Sequence, residues 1–87
     1  MAFDIERIRA RFPALAIRDG DQSRIYFDNP AGTQVPQSVV DAMSRCLIES
    51  NANVQGPFAT SERADAIVSG VHDAMADMLN ASSSDEI

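Results

Sequence analysis

The sequence predicts a mostly α-helical segment carrying one short strand. Three observations lead there. Apolar residues recur at three- and four-residue spacing in three stretches. Residues 24–28 alternate with a period of two instead. Proline and glycine punctuate the joins between these stretches.

Residues 4–12 form the first expected helix. Ile5, Ile8 and Phe12 mark its apolar stripe, Asp4 can cap its start and Pro13 stops it. Arg7, Arg9 and Arg11 lie mostly off that stripe. They read first as a solvated face and second as a contact for an acidic surface. Arg18, Asp19, Gly20, Asp21, Gln22 and Ser23 are turn-like. A short strand is then expected at 24–28. Ile25 and Phe27 share one face, and Arg24, Tyr26 and Asp28 the other. So short a strand needs a neighbour, and the chain offers no evident one.

Asn29-Pro30-Ala31-Gly32-Thr33 follows as a breaker-rich loop between strand and helix. Small residues there allow close backbone approach, although an ordinary connection has the same composition. The second helix is expected from Pro36 to about Glu49, with proline at the first helical position. Its stripe is Val39, Val40, Met43, Cys46 and Leu47. Cys46 lies within it and reads as a buried structural thiol rather than a reactive one.

Residues 50–59 form a second polar loop, with a turn at Gly56-Pro57. The longest helix is expected over 61–79, capped by Thr60 or Ser61, with Glu62 favouring its first turn. Ala64, Ile67, Val68, Val71, Met75, Met78 and Leu79 trace its expected buried side. Gly70 suggests a close helix crossing, and His72 reads as a surface or boundary residue. Asn80 and the serines at 82, 83 and 84 end the helix. No terminal element is evident after them.

The 87 residues bound the chain at one small domain. Thirteen acids oppose seven bases, for a net charge of -6, and every base is arginine. With no lysine, a lysine Schiff base and a Walker-type phosphate loop are excluded within these residues. The acidic balance argues against a nucleic-acid binder. A single cysteine excludes an internal disulfide. One histidine and one cysteine speak against structural zinc. No run is long and apolar enough to span a membrane, and the N-terminus does not read as a signal peptide, so a cytoplasmic location is the default expectation. Cys46 and His72 sit on different expected helices and give a nucleophile–base pair little support. Asp28 and Asp41 are candidate carboxylates, but nothing in the sequence fixes their separation.

The motifs say more than the composition. Tyr26-Phe27-Asp28-Asn29-Pro30-Ala31-Gly32-Thr33-Gln34-Val35-Pro36 resembles the opening signature of class V aminotransferases, and within them the cysteine-desulfurase-like branch. Phe12-Pro13-Ala14-Leu15 resembles the segment that precedes it. Asn51-Ala52-Asn53-Val54, followed by Thr60-Ser61-Glu62-Arg63-Ala64, resembles the second family loop and its helix. Order and spacing agree over residues 5–80.

The resemblance implies the N-terminal fragment of an α/β pyridoxal-phosphate-dependent transferase fold. Residues 1–87 would be a single incomplete segment. Residues 1–59 would be the small-domain and entrance-loop part, and 60–80 the long helix leading to a large domain outside the chain. The parent would be a homodimer acting on an amino acid. It would carry pyridoxal phosphate on a lysine beyond Ile87, so no cofactor is expected on the isolated chain. Asn29, Ala31 and Gly32, with Pro30, would lie nearest the substrate, with backbone groups at Ala31 and Gly32 approaching its carboxylate. Asn53 and Gln55, with Val54, would lie near the cofactor mouth. Cys46 does not match the mobile cysteine of desulfurases.

Two departures stand out. Desulfurases commonly carry Asn-x-x-Val-His-Arg-Gly, where this chain has Val54-Gln55-Gly56-Pro57-Phe58 and one residue fewer before Ser61. Pro30 replaces the usual small alanine. The reaction is therefore open among desulfuration, elimination, transamination and epimerisation. Two other readings are a small non-enzymatic binding or regulatory module that reuses this segment, and a complete small hydrolase built on Cys46 and His72.

Overall fold

Asp4 starts the first helix as expected. Its carboxylate accepts from the Arg7 N–H at 3.0 Å and caps α1, Ile5–Arg9. A computed structural model describes residues 2–87 and divides into two units that meet between Ser44 and Arg45. Each unit is described by itself.

In the first unit, α1 is shorter than the expected 4–12. Turn-type bonds from the Arg11 and Phe12 N–H groups to the Ile8 and Arg9 carbonyls close it. A 3-10 turn, Pro13–Ala16, then opens on its proline. The turn-like segment is a minimal antiparallel hairpin. Strands β1, Arg18–Asp19, and β2, Gln22–Ser23, pair Arg18 with Ser23 and Asp19 with Gln22. Gly20 takes the positive φ of 65° that the reversal needs. The Asp19 carboxylate pairs with the Arg24 guanidinium at 2.8 Å across the hairpin base. The Arg18 guanidinium also donates to the Asp21 carbonyl.

The strand expected at 24–28 does not form. Its alternation survives: Ile25 and Phe27 are 73% and 94% exposed, while Tyr26 is half-buried. The segment is extended without a partner ladder, and an unpaired strand has no hydrogen bonds to define it. The expectation of one short strand is thus replaced by two two-residue strands just upstream.

Helix α2, Gln37–Glu49, begins one residue after the proline expected to start it. The Gln37 N–H donates to the Arg11 carbonyl at 2.8 Å, tying the helix start to the end of the first turn region. Its stripe is largely uncovered, with Met43 at 63% and Leu47 at 65% exposure. Cys46 is half-exposed, not buried as expected, and shares its stripe with the exposed Met43 and Leu47.

In the second unit, α3 runs Ala59–Leu79 and closes on Asn80 in the left-handed conformation. The Asn80 N–H reaches the Asp77 carbonyl and the Ala81 N–H the Ala76 carbonyl, the paired bonds of a Schellman ending. Neither Thr60 nor Ser61 caps the helix. Phe58 occupies that place without a side-chain bond, and both hydroxyl residues fall inside the first turn. The expected buried side is mostly open: only Ala64 of that set is buried, and Val71 and Met78 are 55% and 70% exposed. The residues that α3 does bury are small, namely Ser61, Ala64 and Ala76. Gly70 meets nothing within 4 Å of the place a Cβ would take, so among the described residues no helix crosses there. His72 is half-buried, as a boundary residue. A terminal element does exist: a 3-10 turn, Ser84–Glu86, capped by the Ser83 hydroxyl accepting from the Asp85 N–H. No helix is long and apolar enough to cross a membrane among the described residues.

Candidate functional site

Two loops carry the residues expected to meet ligands, one in each unit. The first is a 3-10 turn, Asn29–Ala31, with Pro30 in its opening position. The Ala31 N–H donates to the Asp28 carbonyl at 2.8 Å and the Gly32 N–H to the Asn29 carbonyl at 3.0 Å. Both amides expected to approach a substrate carboxylate are thus engaged within the turn. Gly32 leaves it at φ 151° and ψ 118°, a region essentially closed to residues with a Cβ. The space above Gly32 is open. Neither the Asn29 carboxamide nor the Thr33 hydroxyl makes a hydrogen bond among the described residues, and both residues are exposed.

Asn29 also lines a concavity of 240 Å³ with Ile8, Phe12, Leu15, Tyr26 and Thr33. Its wall is set by one long-range bond. The half-buried Tyr26 hydroxyl donates to the Ala14 carbonyl at 3.1 Å and fixes the extended segment against the Pro13–Ala16 turn. The Asn29 loop therefore follows directly from an anchored residue three positions earlier.

The second loop spans residues 50–58. The Ser50 N–H continues the helical pattern by donating to the Cys46 carbonyl, and Ser50 itself is buried. Beyond it the backbone folds against the first turns of α3. The Ser61 hydroxyl donates to the Asn53 carbonyl and accepts from the Gly56 N–H, both at 2.6 Å. The Asp65 carboxylate accepts from the Gln55 N–H at 3.0 and 3.3 Å. Gln55 adopts a positive φ of 66°. A Cβ on Gly56 would lie 2.9 Å from the Ser61 Oγ and against the Phe58 ring, so this position is restricted to glycine by close approach. The Asn53 and Gln55 side chains are left exposed.

Asn29, Ala31 and Gly32 thus share one turn, and Asn53 and Gln55 share one held loop. Ser61 and Asp65 were not among the expected functional residues. Their signal was the four-residue spacing, which puts both on one helix face behind the loop. Cys46 and His72 share no hydrogen bond among the described residues. No group of three or more His, Cys, Asp or Glu is arranged to hold a metal there either.

The Ala31 and Gly32 N–H groups are engaged within the first loop and the Gln55 and Gly56 N–H groups on α3 side chains in the second, and the chain has no lysine to form a Schiff base with pyridoxal phosphate.

The chain is 40% identical over 97% of its length to a probable cysteine desulfurase of Streptomyces coelicolor. It is 35% identical over its full length to a probable cysteine desulfurase of Vibrio cholerae and to a cysteine desulfurase of Pectobacterium atrosepticum. It spans only about a fifth of those relatives, 21% of the first and 22% of the other two, at their amino-terminal end. The family model for class-V aminotransferases matches residues 25–87, from the unpaired extended segment through α3. The chain belongs to the class-V aminotransferase family.

Proposed function

We propose that this chain is the amino-terminal part of a pyridoxal-phosphate-dependent enzyme acting on an amino acid, and is catalytically incomplete by itself. The observation that carries this reading is the alignment of the whole chain with only a fifth of its relatives' length. The uncovered apolar faces support it. Large side chains such as Phe27, Met43, Leu47 and Met78 lie 63–94% exposed, and the buried hydrophobic residues described are two alanines. A self-sufficient domain buries such side chains, each contributing about 1.5–3 kcal/mol. This weighs against an independent binding module.

In this reading residues 1–59 supply the entrance loops and part of a small domain. Residues 60–80 lead toward a large domain that carries the lysine. The parent is a cytoplasmic homodimer. When bound, pyridoxal phosphate supplies an electron sink for bond changes at the amino-acid α-carbon. The residues of this chain bind and orient. The Asn29 carboxamide, presented by the turn through Ala31 and Gly32, faces the amino-acid substrate, with an open, largely apolar concavity beside it. The Asn53 and Gln55 carboxamides border the cofactor mouth. Desulfuration is one member of the reaction set. Val54-Gln55-Gly56-Pro57-Phe58 in place of the usual His-Arg-Gly run leaves elimination, transamination and epimerisation beside it.

The reading frame tests this directly. It is expected to continue past the codon for Ile87 into a lysine-bearing domain. The purified 87-residue chain, incubated with pyridoxal phosphate and amino acids, is expected to give neither cofactor absorbance nor ketoacid or aminoacrylate products. Turnover by the pure chain would refute the proposal.

A further inference from the structure

We propose that Ser61 and Asp65 are positioning residues that hold the 53–56 loop so that the Asn53 and Gln55 side chains face the cofactor mouth. This rests on the reading of that loop as part of the cofactor rim.

Ser61 is the one fully buried side chain described, at 0% exposure. It stands in the first turn of α3, where a hydroxyl usually serves the helix's own free N–H groups. Here it does not. The helix start has no side-chain cap, and the hydroxyl turns backward, using its single proton on the Asn53 carbonyl and a lone pair on the Gly56 N–H. One turn further on, Asp65 takes the intervening Gln55 N–H with both carboxylate oxygens. Two side chains of one helix thereby fix three polar backbone sites between Asn53 and Gly56. The middle residue, Gln55, sits at a positive φ that a Cβ disfavours and that needs such support. Gly56 permits the approach, since any Cβ there would press on the Ser61 Oγ. The loop is therefore preformed by α3 rather than shaped by a ligand, and binding groups held this way lose less freedom on binding.

Amide hydrogen exchange in the protein encoded by the whole reading frame tests the latch. In the wild type, Gln55 and Gly56 are expected to be protected. Ser61→Ala should lower Gly56 protection about tenfold, the loss of one net hydrogen bond, and Ser61→Thr should retain it. Asp65→Ala should lower Gln55 protection similarly, with rescue by Asp65→Asn, whose amide oxygen still accepts. If Ser61→Ala loosens α3 as a whole, the half-buried Asp65 pair decides. Unchanged exchange at Gln55 and Gly56 in the alanine variants overturns the proposal. In the protein encoded by the whole reading frame, Ser61→Ala should speed release of pyridoxal phosphate during dialysis, read by its absorbance, while Ser61→Thr should not. Lost protection with unchanged release keeps the latch and overturns the rim reading.

Discussion

The Tyr26 hydroxyl donates to the Ala14 carbonyl across 3.1 Å, joining two positions twelve apart in the first unit. It is the bond that holds the extended segment before the Asn29 loop. Tyr26→Phe keeps the ring and removes only this donor. The variant should lose about 1 kcal/mol of stability, the usual net worth of such a bond. Urea denaturation checks it: the midpoint should fall while the slope stays unchanged. An unaltered midpoint would show the bond to be idle.

Asp19 and Arg24 give the hairpin a pH dependence. Hydrogen bonding from the Arg24 guanidinium holds the Asp19 carboxyl below its ordinary value of 3.8, against an opposing desolvation and with added help from the guanidinium charge. A carboxyl with a lowered folded pKa adds stability above its unfolded value, and that stability is lost as the pH falls through the lowered folded value. The hairpin should therefore stay intact at pH 4 and loosen only below it. A carbon NMR titration of the Asp19 carboxyl should find a midpoint under 3.8, returning to the ordinary range in Arg24→Gln. Equal midpoints in the two proteins would count against the pairing. Both groups are exposed, so added salt should shrink the difference.

The helices were legible in the sequence because their signals are local: apolar spacing, Asp4 before α1, and breakers at the joins. The strand at 24–28 was not, because its ladder needs a partner and none pairs with it among the described residues. Its period-two pattern was real all the same, as the alternation of exposed Ile25 and Phe27 with half-buried Tyr26 shows. The buried side of α3 was misjudged for a related reason. Periodicity identifies a face suited to burial, and Val71 and Met78 lie exposed on such a face. Thr60 and Ser61 both suit a cap by their place beside the helix start, but the direction of the Ser61 hydroxyl is set by the loop it meets. The loops' membership in a family was legible as motif order, whereas their internal hydrogen bonds depend on backbone angles that no motif spells out.

Gly32 and Gly56 are both restricted to glycine, for different reasons. Gly32→Ala meets no atom but must adopt φ 151°, which should cost about 1–3 kcal/mol. Gly56→Ala meets the Phe58 ring, which is half-exposed and free to swing, and the Ser61 Oγ, which is buried and is not. Overpacking of this kind also costs about 1–3 kcal/mol. The readouts separate them. Gly56→Ala should disturb amide exchange at Gln55 and leave the Asn29 turn alone, and Gly32→Ala the reverse. Either variant disturbing both loops equally would contradict the local origin of each restraint.

The uncovered stripe of α2 predicts a solubility response. Met43 and Leu47 are 63% and 65% exposed one helical turn apart. In a stable monomer, Met43→Glu with Leu47→Glu would ordinarily unfold a helix by burying charge. Here the double variant should keep its helical circular dichroism and should reduce self-association in sedimentation velocity. Lost helicity in the double variant would mean that this face is covered in the chain as it stands.

Gly70 gives the sharpest contrast. It stands in the interior of α3, where glycine is less favourable than alanine by about 0.8–1.0 kcal/mol. Its sequence position suggests a close helix crossing, yet a Cβ there would meet nothing within 4 Å. In the 87-residue chain Gly70→Ala should therefore stabilise α3 by up to about 1 kcal/mol, seen as a higher thermal midpoint. In the protein encoded by the whole reading frame the same change should help less, or harm, if another element packs on that spot. A gain in the chain combined with a loss in the longer protein would locate a covering element over Gly70. An equal gain in both would show that the glycine serves no packing role, and a loss in the isolated chain would contradict the open surface found there.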